Sequence, residues 1–186
     1  PGDTDSVTAL ERFLAQIRQQ AGHSGQPQLV SITIECERLD PLAVLESIYD
    51  PAELHFYAER PGADLAIAGA EALVALTCDG PERFAGASAF VRQTLENTIA
   101  IGAVHLPLGG PLFFACFAFE NDSVTDAPFP AARVFVPRWQ VARTAEGSVA
   151  VANTLVGVDT DITAAAQRIW RAHAKFSAFD YTAPSF

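Results

Sequence analysis

The residues that could carry acid–base or metal chemistry are few and widely separated in this sequence. Its single lysine, Lys175, lies in the string RAHAKFSAF near the end of the last predicted helix. A lysine acts as a general base when burial lowers its pKa, whereas a cation in a final helical turn normally faces water and interacts with the helix dipole. We therefore expect Lys175 to be a solvated charge. The glutamates stand singly, without the spacing of metal ligands: Glu35, Glu37, Glu46, Glu53, Glu59 and Glu71.

Histidine and cysteine add no site. The histidines are far apart, and none pairs with another ligand at the helical spacing of a zinc site: His23, His55, His105 and His173. Of these, His55 is expected to be a half-buried strand residue. Three cysteines in apolar runs, Cys36, Cys78 and Cys116, are expected to behave as small buried hydrophobic residues. Nucleophile-elbow and phosphate-loop motifs are missing. The sequence thus predicts no catalytic, cofactor-binding or metal-binding residue in this chain.

Length and charge exclude further classes of function. The 186 residues suit a single domain, 1–186, with a substantial core, and 49% of them are hydrophobic. A formal net charge of −10 would repel phosphate backbones, so nucleic acid is not an expected partner. No apolar run approaches the ~20 residues of a membrane helix, and the acidic start lacks the pattern of a secretion signal. We expect a cytoplasmic protein with no membrane partner.

Local patterns predict an α+β domain with a mostly antiparallel sheet and flanking helices. A capping box at Thr8–Glu11 and the apolar stripe after it predict a helix over about 9–21. Asp40 and Pro41 predict the cap and first turn of a short helix that ends near Ile48. Further helices are predicted over 81–100 and after Asp159 or Asp161. Predicted strands cover 28–37, 54–59, 65–68, 72–78 and 112–119, then a strand closed by Pro137 and Arg138, a stretch to Arg143, and 149–156.

Two long stretches carry a family pattern. Residues 55–84 read HFYAERPGADLAIAGAEALVALTCDGPERF, and residues 111–143 read PLFFACFAFENDSVTDAPFPAARVFVPRWQVAR. In this order they resemble the amino-terminal half of isochorismate synthases, which are chorismate-utilising enzymes. The resemblance extends over roughly 29–155. Two positions depart from the pattern: Ala58 stands where tryptophan is common, and Ala115-Cys116 replaces the usual glycine pair.

The resemblance implies a fold and an activity for the complete enzyme. It implies one half of a two-sheet α/β/β/α fold, and a Mg²⁺-dependent conversion of chorismate to isochorismate for menaquinone, phylloquinone or siderophore synthesis. The lysine base belongs to a KVVLAR-like strand of the carboxyl-terminal half, with the metal-holding glutamates beyond it, and this string is absent here. The expected partner is therefore that missing catalytic half, through which alone chorismate would be met. This chain alone is expected to be a structural part without activity.

Two alternatives stay open at this level. The chain is a stand-alone binding or regulatory module derived from the family, or it is the amino-terminal part of an anthranilate or aminodeoxychorismate synthase. A separate expectation concerns Arg133, Arg138 and Arg143, which recur at five-residue spacing and are expected to be solvated rim charges. The alternative for Arg138 is that it braces the interface to the missing catalytic half.

One predicted strand is apolar on both faces. In 112–119, Phe114 alternates with Phe113 and Phe117, and a strand of this kind requires cover on both sides. Either the helices of the chain cover it, or one face meets the missing half and would otherwise drive self-association.

Overall fold

The fold is α+β, as predicted. A computed structural model describes the backbone of residues 3–120 and 129–177, and side chains over 7–120 and 129–173. The elements are α1 (Asp3–Ser24), β1 (Gln28–Cys36), α2 (Pro41–Ile48), β2 (His55–Arg60), β3 (Leu65–Cys78), α3 (Arg83–Glu96), β4 (Thr98–Gly102), β5 (Phe114–Phe117), β6 (Ala132–Thr144), β7 (Gly147–Val156) and α4 (Ile162–Ser177). None of the helices in these ranges combines the length and the apolar character needed to cross a membrane.

The strands form one open sheet that is antiparallel except at one edge. Their order is β2-β3-β6-β7-β1-β4, and β5 lies beside the first half of β6. The exception is β4, which runs parallel to β1 from the Leu29–Thr98 pair to the Thr33–Gly102 pair. A mostly antiparallel sheet was expected from the short loops between successive strands, and the topology confirms it.

The longest pairing in the sheet joins β3 to β6. It runs from Ala66 opposite Arg143 to Cys78 opposite Ala132, with an irregularity between Ala72 and Val74. The sequence predicted two strands on either side of Gly69, but β3 is continuous through that glycine. The break in register comes later, between Ala72 and Val74. Just before it, Glu71 adopts φ 60° and its N–H donates to Leu54 O at 3.0 Å. We call residues 71–74 the β3 bulge.

Strand β6 likewise continues where the sequence predicted a boundary. Pro137 lies in its middle, opposite Ala72 of β3. On the other edge of β6, β5 pairs only as far as Phe135 and β7 pairs only from Trp139. Proline has no N–H to donate to a ladder. Pro137 therefore marks the point at which one neighbouring strand ends and the other begins.

The predicted helix over 81–100 is too long. Helix α3 ends at Glu96, and Thr98–Gly102 forms β4 instead. The β-branched residues Thr98, Ile99 and Ile101 suit a strand, and the parallel neighbour β1 supplies their backbone partners. Gly102 closes the strand at φ 86°, where a Cβ atom would overlap Thr33 O.

Helices α1, α2 and α4 cover one face of the sheet. Their apolar residues form one cluster with Trp139, which is 8% exposed. The cluster includes Leu14, Ile17, Val44, Leu45, Ile162, Ala165, Ile169, Ala68, Ala70, Val141, Ala150 and Ala152.

Capping sets where two of these helices begin. Asp40 Oδ1 accepts from Leu42 N at 2.9 Å, and Asp161 Oδ1 accepts from Ala164 N at 3.0 Å. The Asp40 cap was predicted from the sequence, and the structure selects Asp161 over Asp159, the other predicted candidate for the cap of α4.

A buried polar network ties a loop across the other face. Gln140 Nε2 donates to Gly110 O at 2.9 Å, while Gln140 Oε1 accepts from Leu112 N at 3.0 Å. Gly110 N in turn donates to Thr33 Oγ1 at 2.8 Å. Thr33 and Gln140 are each 2% exposed. Because buried polar groups cost free energy unless they are paired, these bonds hold the loop in one position.

Phe114 packs next to this network, above Gly69. Its ring stacks on Phe56 with centroids 4.4 Å apart and contacts Phe135 at 5.6 Å. A Cβ atom on Gly69 would overlap Cε2 of Phe114. Glycine is therefore required at position 69 to give the ring its space.

We expect Gly69→Ala to lower the free energy of unfolding by about 1–3 kcal/mol, because the Phe114 ring must leave its stacked position. The measurement is denaturant unfolding at equilibrium. Gly62→Ala is the matched control, because a Cβ atom there meets nothing within 4 Å. Equal stability of the two variants would contradict the packing argument.

Candidate functional site

An open, mostly apolar groove lies between α3 and the β5–β6 pair. It has a volume of about 780 Å³, and its walls include Phe84, Val91, Leu95, Phe113, Ala115, Phe117 and Val134. Phe84 stacks on Phe117 with ring centroids 4.7 Å apart. Both rings remain accessible, since Phe84 is 55% exposed and Phe117 is 40% exposed. We call this feature the α3 groove.

The α3 groove shows which face of the doubly apolar strand the chain covers and which face stays accessible. That strand is shorter than predicted, because β5 covers only Phe114–Phe117. Its two faces differ: Phe114 is 6% exposed and covered by the protein's own residues, whereas Phe117 faces the groove. The chain therefore covers one face, and the other stays accessible on the part of the protein that the structure describes.

A buried arginine fixes the rim of the α3 groove. Arg83 is 5% exposed, and its guanidinium donates to Gly80 O and to Ala118 O, both at 3.3 Å. The same group lies over the Phe84 ring, 4.5 Å from its centroid. Carbonyl acceptors and the ring face compensate the burial of the charge. Arg83 thereby joins the start of α3 to the end of β5 and holds Phe84 in place.

Two arginines of β6, Arg138 and Arg143, are not the solvated rim charges that were expected, whereas Arg133 is half-buried. Arg138 Nε donates to Glu71 Oε2 at 3.0 Å, and the Arg138 side chain is 23% exposed. Arg143 Nη2 donates to Glu59 Oε1 at 3.2 Å, its Nε lies 3.4 Å from Asp64 Oδ1, and its side chain is 17% exposed. These ion pairs lie within the domain, because β2, β3 and β6 are neighbours in the sheet.

The histidines and cysteines stay dispersed in the structure, and two expectations about them are wrong. His55 is exposed and not half-buried. Its ring lies edge-on to the Tyr49 ring with centroids 4.8 Å apart, and its Nδ1 is 3.2 Å from Glu53 O. Cys116 is exposed on β5, whereas Cys36 and Cys78 are half-buried. Lys175 lies within α4, but its side chain is outside the described residues.

The donors that the structure describes do not fit a magnesium site. Among the described side chains, 7–120 and 129–173, no three histidine, cysteine, aspartate or glutamate residues come together in a way that could hold a metal ion. Two of the candidate glutamates, Glu59 and Glu71, are instead paired with arginine. No step of a metal-dependent reaction can be assigned to these residues.

Sequence comparison decides the family. The sequence model of the family described as chorismate binding enzyme matches residues 13–185, which is nearly the whole chain. The chain belongs to this family. Among curated proteins, no sequence relative is found.

Solved structures also include a similar chain. The menaquinone-specific isochorismate synthase MenF from Escherichia coli is similar with a TM-score of 0.49 and 17% sequence identity. The similarity covers 95% of the present chain and 35% of the synthase chain. This member of the chorismate binding enzyme family thus spans about a third of the length of that synthase.

The cysteines of this family member differ in their environments. Burial, reinforced by the negative charge of Glu35, raises the pKa of Cys36 from 9.0 to about 11, although a backbone hydrogen bond at Ala150 acts in the opposite direction. The thiolate is the reactive form of cysteine. Deprotonation of Cys36 therefore requires a more alkaline solution than an ordinary thiol needs.

We expect one fast-reacting thiol when the native protein meets a disulfide reagent at pH 8, and we assign it to Cys116. Cys36 should react at least about tenfold more slowly, because its raised pKa leaves little thiolate at pH 8 and burial restricts access of the reagent, and it should react faster as the pH rises toward 11. Absorbance of the released thiolate measures both rates. The control Cys116→Ser should remove the fast phase, and a fast phase that persists in this variant would contradict the assignment.

Proposed function

We propose that this chain is a structural, amino-terminal part of an isochorismate synthase, which converts chorismate to isochorismate. Membership of the chorismate binding enzyme family over residues 13–185 supports the substrate class. The motifs in 55–84 and 111–143 support the choice of isochorismate synthase. Menaquinone, phylloquinone or siderophore synthesis as the pathway, Mg²⁺ as the metal of the complete enzyme, and a cytoplasmic location are parts of this proposal that rest on the sequence alone.

In this proposal the chain supports chemistry that a second, catalytic part performs. The catalytic part supplies the lysine base and the glutamates, and it binds chorismate. The present chain contributes one sheet of the complete two-sheet fold and the surface on which the catalytic part packs. Two of its own glutamates are engaged in ion pairs within the domain, in the pairs Glu71–Arg138 and Glu59–Arg143.

The α3 groove is the observation that carries the interface part of the proposal. Three of its large side chains are partly accessible: Phe84, Leu95 and Phe117 are 55%, 48% and 40% exposed. Complete burial of one such side chain contributes roughly 1.5–3 kcal/mol, so covering the three favours association by several kcal/mol before its entropic cost. Without the catalytic part, the same surface would favour self-association of the chain.

A second candidate function is a binding or regulatory module of the same family. One observation favours it, a pocket on the opposite side of the sheet that is lined by two exposed arginines of α4, Arg168 and Arg171. The two candidates differ in what they require. The first requires a catalytic partner, whereas the second requires a ligand.

We expect the purified chain to form a complex with the separately produced catalytic half of an isochorismate synthase from this family. The mixture should convert chorismate to isochorismate, and this chain alone should not. Size-exclusion chromatography measures the complex, and a coupled assay for isochorismate measures turnover. Isomerisation by the isolated chain, or failure of the two parts to associate, would overturn the proposal.

Variants of the α3 groove locate the interface. Phe84→Ser with Phe117→Ser should weaken the complex at least about tenfold, because two apolar contacts are lost. The matched control is Tyr49→Ser with Val158→Ser, which removes side chains that are 51% and 60% exposed outside the groove. Equal weakening by the two double variants would rule out the groove as the interface.

A further inference from the structure

A pocket of about 550 Å³ lies between α2, α4 and the β3 bulge, on the face of the sheet opposite the loop held by Gln140. Its apolar lining includes Ile48, Trp139 and Ala172, and its charged lining consists of Arg168, Arg171 and Glu71. The volume is within the ~300–1,000 Å³ of sites for small organic ligands. We call it the α4 pocket.

The charge of the α4 pocket contrasts with that of the whole protein. The chain has a net charge of −10, and several of its arginines are held by carboxylates, as in the pairs Arg38–Asp64, Arg138–Glu71 and Arg143–Glu59. Arg168 has no hydrogen-bond or ion-pair partner among the described residues. Arg171 donates only to the neutral Gln167 Oε1, at 3.4 Å. Two positive groups in this pocket therefore lack the carboxylate that other arginines of the protein have.

The arrangement of these groups favours an anion over the pocket's apolar surface. Arg168 and Arg171 are three residues apart on α4, so their side chains lie on the same side of the helix. Guanidinium groups donate to carboxylates with matched geometry. Beneath them, Trp139 is 8% exposed and Ile48 is half-buried, so they present an apolar floor that would contact a flat ring.

Glu71 restricts the charge that such a ligand can carry. Its carboxylate accepts from Arg138 Nε at 3.0 Å and is 39% exposed at the pocket wall. The β3 bulge fixes its position, because Glu71 has φ 60° and its N–H is bonded to Leu54 O. A second negative group on the ligand would approach this carboxylate and be repelled. The pocket therefore favours one carboxylate over two.

We propose that the α4 pocket binds a small aromatic monocarboxylate, with Arg168 and Arg171 donating to the carboxylate and the ring lying against Ile48 and Trp139. The pocket is on the helical face of the sheet and the α3 groove is elsewhere, so this binding does not depend on the assembly proposed above. A ligand bound here would contact Trp139 of β6 and Glu71, which forms an ion pair with Arg138. Through these two contacts, binding would influence the central strands of the sheet.

Benzoate is the probe for this proposal, titrated into the full chain by isothermal calorimetry or ligand-observed NMR. We expect saturable binding to the wild-type protein. Benzyl alcohol, which lacks the charge, and terephthalate, which carries two carboxylates, should each bind at least about tenfold more weakly. Absence of saturable benzoate binding at about 10 mM, or equal binding of benzyl alcohol, would overturn the proposal.

Two independent variants test whether benzoate binding depends on the α4 arginines and on the space in the α4 pocket. Arg168→Gln with Arg171→Gln should weaken benzoate binding at least about tenfold, and Ala172→Phe should do so by filling the pocket without changing its charge. The matched control is Arg12→Gln with Arg92→Gln, which removes two exposed arginines from α1 and α3 and should leave the affinity unchanged. Thermal unfolding confirms that each variant is folded. Equal losses in the control, or full affinity in both pocket variants, would refute the assigned site.

Discussion

The antiparallel ladder between β3 and β6 is the constraint on which the rest of the structure depends. It extends from Ala66–Arg143 to Cys78–Ala132. Strands β2, β5 and β7 pair directly with one of these two strands, and β1 and β4 continue the sheet beyond β7. Because side chains alternate strictly along a strand, a slip of one residue would move every apolar side chain to the wrong face. The register of this single pair therefore decides which residues reach the helices and which reach the opposite face.

The ladder also positions both surfaces to which a function is assigned. Val134, near one end of β6, lies in the α3 groove, whereas Trp139, further along the same strand, lies in the α4 pocket. Between them, the β3 bulge turns Glu71 toward Arg138. A residue such as glutamate adopts a left-handed conformation only at a cost of roughly 1–3 kcal/mol. Here the ion pair and the bond from Glu71 N to Leu54 O offset that cost.

Features governed by local chemistry could be read from the sequence. The Asp40–Pro41 cap and the start of α4 at Asp161 depend on a few adjacent residues, and both are found where they were expected. The strand over 54–59 and the strand over 149–156 follow from simple alternation. Family membership could also be recognised, because its motifs are long runs with a fixed order. These inferences require no knowledge of distant partners.

Features that depend on contacts between residues far apart in the sequence could not be predicted in the same way. The sequence alone predicts that the segment Thr98–Gly102 continues helix α3. It forms a strand because β1, about 70 residues earlier in the chain, lies beside it as a parallel neighbour. The β3 bulge replaces the break that was expected at Gly69, and only the three-dimensional packing of Phe114 explains that glycine. The ion pairs of Arg138 and Arg143 have acidic partners on β2 and β3 or just between them. The α4 pocket requires α2, α4 and the bulge together, and spacing along the chain gives no sign of it.

Because Pro137 separates the pairing of β5 from that of β7, one part of the sheet opens more easily than the other. Since β5 pairs with β6 before this residue and β7 pairs with β6 after it, the β5–α3 portion is joined to the remainder mainly through β3 and β6. Separation of β5 from β6 breaks the short pairing from Phe114 to Phe117 and the ring contact of Phe114 with Phe135, and it leaves the β1–β7 pairing intact. Local opening with a lower free energy than global unfolding follows from such an arrangement. Amide protons of β5 would then exchange with solvent while those of β7 remain protected, and the accessible aromatic surface belongs to the more easily opened portion.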